Sequence, residues 1–212
     1  MKTLKIMLVC SAALAPGAMA QSWEVGAGVG GGFYTSETVT SPAGSASAKI
    51  QTGLAGSVWL GNTWRGRWSG ELRYDYGMGD LALSSGGTKA TFGAHTQQFH
   101  YDIMWHATSS ESRIRPYVAV GAGVKLYQGT GAQMAYQPLS NIALLTQQQD
   151  LTPLVSAGAG IKFQISSHVQ LRMDVHDYLT PFPKNVITPN IGGKVGGWLQ
   201  DFVPMVGISY TY

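Results

Sequence analysis

The sequence has one cysteine, few charged residues and no long apolar run. Cys10 lies in an N-terminal segment that we expect to be removed, so no thiol remains for a disulfide, a nucleophile or a zinc site. Asp, Glu, Lys and Arg make up 12% of the chain, about half the share in a soluble globular domain. No later stretch approaches the ~20 apolar residues of a membrane-spanning helix. These absences exclude a helical integral membrane protein and argue against a solvated helical one.

The N-terminus has the three parts of a secretory signal. Lys2 and Lys5 form a basic start, residues 6–14 are mostly apolar, and Ala-Met-Ala at 18–20 matches a small-x-small cleavage site. We therefore predict a signal peptide over residues 1–20 and one mature domain over residues 21–212. Without Lys2 and Lys5, the 14 basic residues fall to 12, against 11 acidic ones. No basic patch stands out, and we expect no nucleic-acid binding.

What the chain has instead is glycine, aromatic residues and a strict alternation of apolar and polar positions. The last seven residues show it most clearly. Val206, Ile208, Tyr210 and Tyr212 would lie on one face of a β-strand, with small or polar residues on the other. An exposed apolar edge strand invites aggregation, so this strand must be paired on both sides. In a membrane, a closed barrel is the all-β arrangement that leaves no backbone group unsatisfied.

About eight segments show this alternation, and long and short connections join them in turn. The predicted long loops are residues 37–49, 79–91, 129–153 and 180–201, and the predicted short turns are residues 62–67, 108–114 and 166–168. The second strand is predicted to begin at Ile50, with Ile50 facing outward and Trp59 inward as an exception. The sequence therefore predicts an all-β fold: an eight-stranded antiparallel transmembrane β-barrel with long extracellular loops and short periplasmic turns.

The polar faces of these strands carry charged residues. Glu71, Arg73 and Asp75 are spaced by two, so they point the same way, and in lipid they would cost several kcal/mol. The predicted lumen charges are Glu24, Glu71, Arg73, Asp75, Asp102, Lys125, Lys162, Arg172 and Asp174. Five acids and four bases predict paired charges that fill a barrel just wide enough for side chains. A gated pore, in which Arg73 or Arg172 exchanges carboxylate partners, is the alternative.

Two further patterns resemble a dinucleotide-binding site and a metal site, and the sequence supports neither. The glycine-rich residues 26–32 superficially match a dinucleotide-binding loop, but these glycines lie within the strand pattern rather than between a strand and a helix. His100 and His106 share the inward face, but they lie too far apart along one strand to hold the same metal ion. We therefore predict no catalytic, cofactor-binding or metal-binding residues, no cofactor and no enzymatic activity.

The signal peptide, the strand rhythm over residues 22–212 and the C-terminal strand resemble the small outer-membrane β-barrel family of Gram-negative bacteria, which includes the membrane domain of OmpA-type proteins. The resemblance implies an outer-membrane location and contact with outer-membrane lipids and the barrel assembly machinery. It also implies an assembly signal carried by Gly207, Ile208, Tyr210 and Tyr212. OmpA-type proteins continue into a peptidoglycan-binding domain, whereas this sequence stops at Tyr212, so we expect no anchoring through such a domain.

The expected role is structural or adhesin-like, with a monomeric or weakly associating barrel whose loops at 129–153 and 180–201 contact an extracellular ligand. A narrow pore for ions or small solutes is the first alternative. A barrel enzyme that modifies lipid A is the second. The His-x-Ser-Asn arrangement of the lipid A deacylases is absent after both His106 and His168, although a Ser–His pair contributed by two strands remains open.

Overall fold

A computed structural model describes residues 22–132 and 136–212, and within these ranges the chain forms fifteen β-strands. The strands are β1 (Trp23–Tyr34), β2 (Ser36–Ser41), β3 (Gly44–Ile50), β4 (Gly53–Arg65), β5 (Trp68–Met78), β6 (Leu81–Ser85), β7 (Thr88–Phe92), β8 (Ala94–His106), β9 (Ile114–Gly129), β10 (Ala143–Leu145), β11 (Gln149–Gln164), β12 (Val169–Pro181), β13 (Ile187–Pro189), β14 (Lys194–Val195) and β15 (Trp198–Thr211). The predicted signal peptide, residues 1–20, lies outside the described residues. In the described ranges, no helix has the length and hydropathy needed to cross a membrane.

Eight of these strands form a closed antiparallel barrel in the order β1-β15-β12-β11-β9-β8-β5-β4, with β4 pairing back to β1. The first and last strands join directly, with Val25 opposite Tyr210 and Val29 opposite Val206. The short turns at 66–67, 107–113 and 165–168 lie at one end, together with the start of β1 and the end of β15. By the rule for outer-membrane barrels this is the periplasmic end. The predicted fold class is confirmed.

The alternation of the sequence separates a lipid-facing surface from a polar interior. Val29 and Leu54 project outward and are largely exposed, whereas the residues at the intermediate positions are mostly buried or glycine. Four tryptophans lie half-exposed near the periplasmic strand ends, where amphipathic rings favour the membrane interface. They are Trp23, Trp64, Trp68 and Trp105.

The long connections form a folded extracellular cap, and the prediction of irregular loops there was wrong in part. Residues 37–49 lie in the β2–β3 hairpin. Residues 79–91 contain most of the β6–β7 hairpin, whose turn is made by Gly86 and Gly87 with φ angles of 55° and 83°. These four strands join β14 in a sheet of order β14-β2-β3-β6-β7, while β10 and β13 pair separately. We call these seven strands and their connections the cap.

The cap has its own hydrophobic core, formed together with the extracellular ends of the barrel strands. Its buried residues are Val39, Ala46, Ala48, Ile50, Leu81, Leu83, Ala90, Phe92, Tyr127, Ile142, Ala143, Leu145, Phe182, Val186, Ile187, Val195 and Leu199. Ile50 is 2% exposed here rather than facing lipid, which corrects the predicted second strand. The reason is a break at Gln51 and Thr52, after which the barrel strand β4 begins at Gly53.

Candidate functional site

The interior of the barrel holds all nine of the predicted lumen charges. Their side chains reach it from six barrel strands, and none of the nine residues is more than 8% exposed. These residues are Glu24, Glu71, Arg73, Asp75, Asp102, Lys125, Lys162, Arg172 and Asp174. The structure places them in one central group and two smaller groups, one toward each end of the lumen.

The central group is built around two guanidinium groups. Arg172 donates from Nε to Asp174 Oδ2 at 2.5 Å and from Nη2 to Glu71 Oε1 at 3.0 Å. Arg73 donates from Nε to Asp75 Oδ1 at 2.9 Å and from Nη1 to Asp174 Oδ2 at 3.3 Å. Two cations and three carboxylates are therefore interlinked, which offsets the large cost of burying each charge alone.

His100 and His176 extend this group to Asp102. One oxygen of Asp102 lies 3.0 Å from His100 Nδ1 and the other lies 3.2 Å from His176 Nε2. Ser156 donates its hydroxyl to Asp102 at 2.5 Å, and His100 Nε2 lies 3.1 Å from Asp75 Oδ2. Imidazoles and a hydroxyl thus surround this carboxylate. Among the residues that the structure describes, no group of three or more His, Cys, Asp or Glu side chains could hold a metal ion.

One ion pair lies toward each end of the lumen. At the periplasmic end, Lys162 Nζ donates to Glu24 Oε2 at 2.5 Å, and Trp59 Nε1 donates to Glu24 Oε1 at 3.2 Å. At the extracellular end, Lys125 pairs with Asp201, and both side chains are fully buried. Asp201 is not among the predicted lumen charges because residues 180–201 were predicted to be a loop. The signal was present, since Asp201 has the same strand parity as the inward residues that follow it in β15.

Trp59 fills the space between the central group and the glycine-rich strands. Its ring centroid lies 4.6 Å from Arg172 Cζ and 5.6 Å from Arg73 Cζ, within the range of cation–π contacts. A Cβ atom at Gly26 would lie 2.3 Å from the indole, and one at Gly207 would lie 2.6 Å from it. Gly26 and Gly207 make room for the ring, which explains how Trp59 can face inward.

The comparisons agree with this architecture. Residues 6–196 match the outer membrane protein beta-barrel domain family. The chain belongs to that family. It is also similar to solved structures of outer membrane protein OprG from Pseudomonas aeruginosa (TM-score 0.60, 13% identity, 91% of this chain and 96% of that one) and Neisserial surface protein A (TM-score 0.54, 9% identity, 92% and 99%). Identities this low show a shared fold alone. Among curated proteins, none matches the sequence.

Membership of this family confirms the prediction of a small outer-membrane β-barrel protein of Gram-negative type. The predicted assembly-signal residues lie at the periplasmic end of β15. Ile208, Tyr210 and Tyr212 project outward and are about half-exposed or more, whereas Gly207 faces the lumen against Trp59. Their part in assembly stays a prediction.

A serine–histidine pair contributed by two strands lies near the periplasmic end of the lumen. Ser69 Oγ on β5 and His106 Nε2 on β8 are 2.9 Å apart, and both residues are buried. Nδ1 of His106 has no hydrogen-bond partner in the described part of the chain. In a Ser-His-Asp triad an acid at that nitrogen orients the imidazole. The pair therefore has the nucleophile and base of a hydrolase without the orienting carboxylate.

Proposed function

We propose that this protein is a closed, non-enzymatic outer-membrane barrel with a structural and surface-interaction role, in which the cap makes the contacts outside the cell. The observation that carries the proposal is the charge network across the lumen. Strands β5 and β12 lie on opposite sides of the barrel, four places apart in a ring of eight. Arg73 on β5 bonds to Asp174 on β12, and Arg172 on β12 bonds to Glu71 on β5. Two ion pairs thus cross the whole width of the lumen.

The side-chain contacts at the extracellular end of the lumen also favour a closed barrel. Lys125 and Asp201 pair across the lumen above the central group. Beyond them, the hydroxyls of Tyr127 and Thr180 are 2.5 Å apart, and Tyr127 packs into the hydrophobic core of the cap. A polar layer and an apolar layer therefore lie between the central group and the cell exterior. Outer-membrane lipids and the barrel assembly machinery are the proposed partners in the envelope.

Conductance measurements in planar bilayers test whether the barrel is closed. We expect the purified protein to give no steady current, because the crossing ion pairs occupy a lumen only wide enough for side chains. Arg172→Ala removes one crossing pair and should produce brief openings. Large steady currents from the unsubstituted protein would contradict the proposal and favour the narrow pore.

The cap presents apolar side chains on a fixed framework. Ile191, in the turn after β13, is 93% exposed, and Leu144 on β10 also faces solvent. The side chain of Asn190 donates to the carbonyl oxygens of Ser140 and Asn141, which ties this turn to the segment before β10. Apolar groups held in place on an aqueous surface are typical of contact sites.

Adhesion of cells that display the protein tests the surface role. We expect Ile191→Ser combined with Leu144→Ser to weaken adhesion to a hydrophobic surface such as polystyrene by at least about tenfold, since full burial of even one such side chain contributes about 1.5–3 kcal/mol and about 1.4 kcal/mol is tenfold. Lys89→Ser, on the edge strand β7 of the cap sheet, is the matched control and should leave adhesion unchanged. Equal adhesion of all three proteins would remove this surface from the proposal.

A further inference from the structure

The geometry points to an oxyanion-binding site at the periplasmic mouth of the barrel, centred on Arg115. Arg115 is the second residue of β9, faces the lumen and is 6% exposed. Its Nε and Nη2 atoms are buried and have no hydrogen-bond partner among the described residues. Within the same ranges its guanidinium forms no ion pair with a carboxylate.

The other lumen cations differ from Arg115 in having carboxylate partners. Each of the four is within ion-pair distance of at least one carboxylate, and they are Arg73, Lys125, Lys162 and Arg172. A buried charge without a counter-charge is strongly unfavourable. Arg115 is therefore the one cation of the described lumen for which the residues at 22–132 and 136–212 provide no carboxylate partner.

The neighbourhood of Arg115 has an excess of positive charge. Lys162 lies directly opposite Arg115 in the β9–β11 ladder, and both side chains point into the lumen. The carboxylate on this level, Glu24, is already bonded through both oxygens, to Lys162 and to Trp59. Two cations and one occupied carboxylate leave one positive charge uncompensated.

Other buried polar atoms at the same end also have no partner in the described ranges. Each belongs to an inward residue within a few positions of the periplasmic end of its strand. The atoms are Nδ1 of His106, Oε1 of Gln170 and Oγ of Ser209. A hydroxyl donates a hydrogen bond to an anion and an imidazole nitrogen does so when it carries its proton, whereas the Gln170 oxygen is an acceptor. The mouth therefore combines an unpaired guanidinium with further groups able to complete an oxyanion site.

The chemistry of the site defines the ligand class. The planar guanidinium fork matches two oxygens of a phosphate or carboxylate group. Arg67 and Arg113 are exposed on the adjacent turns, where Glu111 is the one acid, so the approach from the periplasm is basic and attracts anions. A free periplasmic oxyanion and the phosphate of an inner-leaflet lipid headgroup share this chemistry.

Titration of the purified protein with inorganic phosphate in an uncharged maltoside detergent tests the site. At constant ionic strength, we expect saturable binding in calorimetry and a shift of the Arg115 Nε–H resonance in NMR spectra of the unsubstituted protein. Arg115→Gln should weaken binding by about tenfold or more, as for the loss of charge-assisted hydrogen bonds. Arg113→Gln removes the same charge from an exposed position two residues away and should weaken binding much less than Arg115→Gln, because it removes only a screened, long-range attraction. A parallel titration uses a short-chain anionic phospholipid.

The two titrations separate the two sources of the ligand. A phosphate response supports a site for free oxyanions, and a response to the phospholipid alone supports a headgroup site. The proposal is overturned when the Arg115 resonance responds to neither probe. It is also overturned when Arg113→Gln weakens binding as much as Arg115→Gln, because surface charge then accounts for the effect. The resonance is measured on the unsubstituted protein, so the result does not depend on whether a variant folds.

Discussion

Replacing Arg172 with alanine is expected to lower the free energy of unfolding of the barrel by about 3–5 kcal/mol, the range for breaking a buried ion pair. Arg172 is 1% exposed, and its guanidinium bonds to both Glu71 and Asp174. The substitution leaves the buried Glu71 without its closest cation and removes the guanidinium that stacks on Trp59. Urea unfolding in phospholipid vesicles, followed by tryptophan fluorescence, measures the change.

Two variants separate the unpaired charge from the lost side-chain volume. Arg113→Ala removes an exposed arginine and should change the free energy of unfolding by less than about 0.5 kcal/mol. Arg172→Met combined with Glu71→Met removes both charges while keeping apolar volume, so it should recover much of the stability that Arg172→Ala loses. Equal losses in the single and double variants would show that packing, rather than the unpaired carboxylate, dominates.

Replacing Leu83 with aspartate should unfold the cap and leave the barrel assembled. Leu83 is fully buried in the cap core, where it lies opposite Ala48 on β3 and Ala90 on β7. A carboxylate there costs about 3 kcal/mol or more, which a sheet made of five short strands cannot offset. Protease treatment of intact cells should cleave the variant within residues 36–92, whereas the heat-dependent gel mobility of the folded barrel should persist.

The control for this prediction is the next residue along the strand. Ser84 is exposed, so Ser84→Asp adds the same charge on the solvent face of β6 and should leave the cap resistant to protease. Loss of the barrel band in Leu83→Asp would show that cap and barrel fold as one cooperative unit. Protease resistance equal to that of Ser84→Asp would show that the cap core contributes little.

The barrel could be predicted from the sequence because alternation with a period of two continues over ten or more residues in most wall strands. The cap could not, because its strands are short and its core uses residues such as Ala46 and Ala48 within Ser-rich segments. These residues become a core only when connections far apart in the chain meet. Residues 129–153, expected to be a contact loop, supply Ile142, Ala143 and Leu145 to that core.

Strand parity was also enough to place the nine lumen charges, but it could not pair them. Arg73 and Asp174 are 101 residues apart, and their contact depends on the strand order and on the tilt of the barrel. Arg115 was not predicted because the predicted turn ran to residue 114, which left Arg115 beside the turn rather than within a strand. Arg115 and Lys125 are an even number of residues apart in β9, so they face the same way. A strand predicted to begin at Ile114 would therefore have placed Arg115 in the lumen.

Two strand pairings close the barrel, because β2 and β14 pair in addition to β1 and β15. β1 and β15 meet in the wall, and the strands next to them in the chain meet again above it, with Val195 opposite Val39. Complete separation of β1 from β15 therefore requires this second pairing to open as well. Contacts that join the two ends of a chain form late in folding, so they slow unfolding far more than they speed folding. We therefore expect the cap to slow unfolding, so that its loss shortens the lifetime of the closed barrel even where the equilibrium stability of the wall is unchanged.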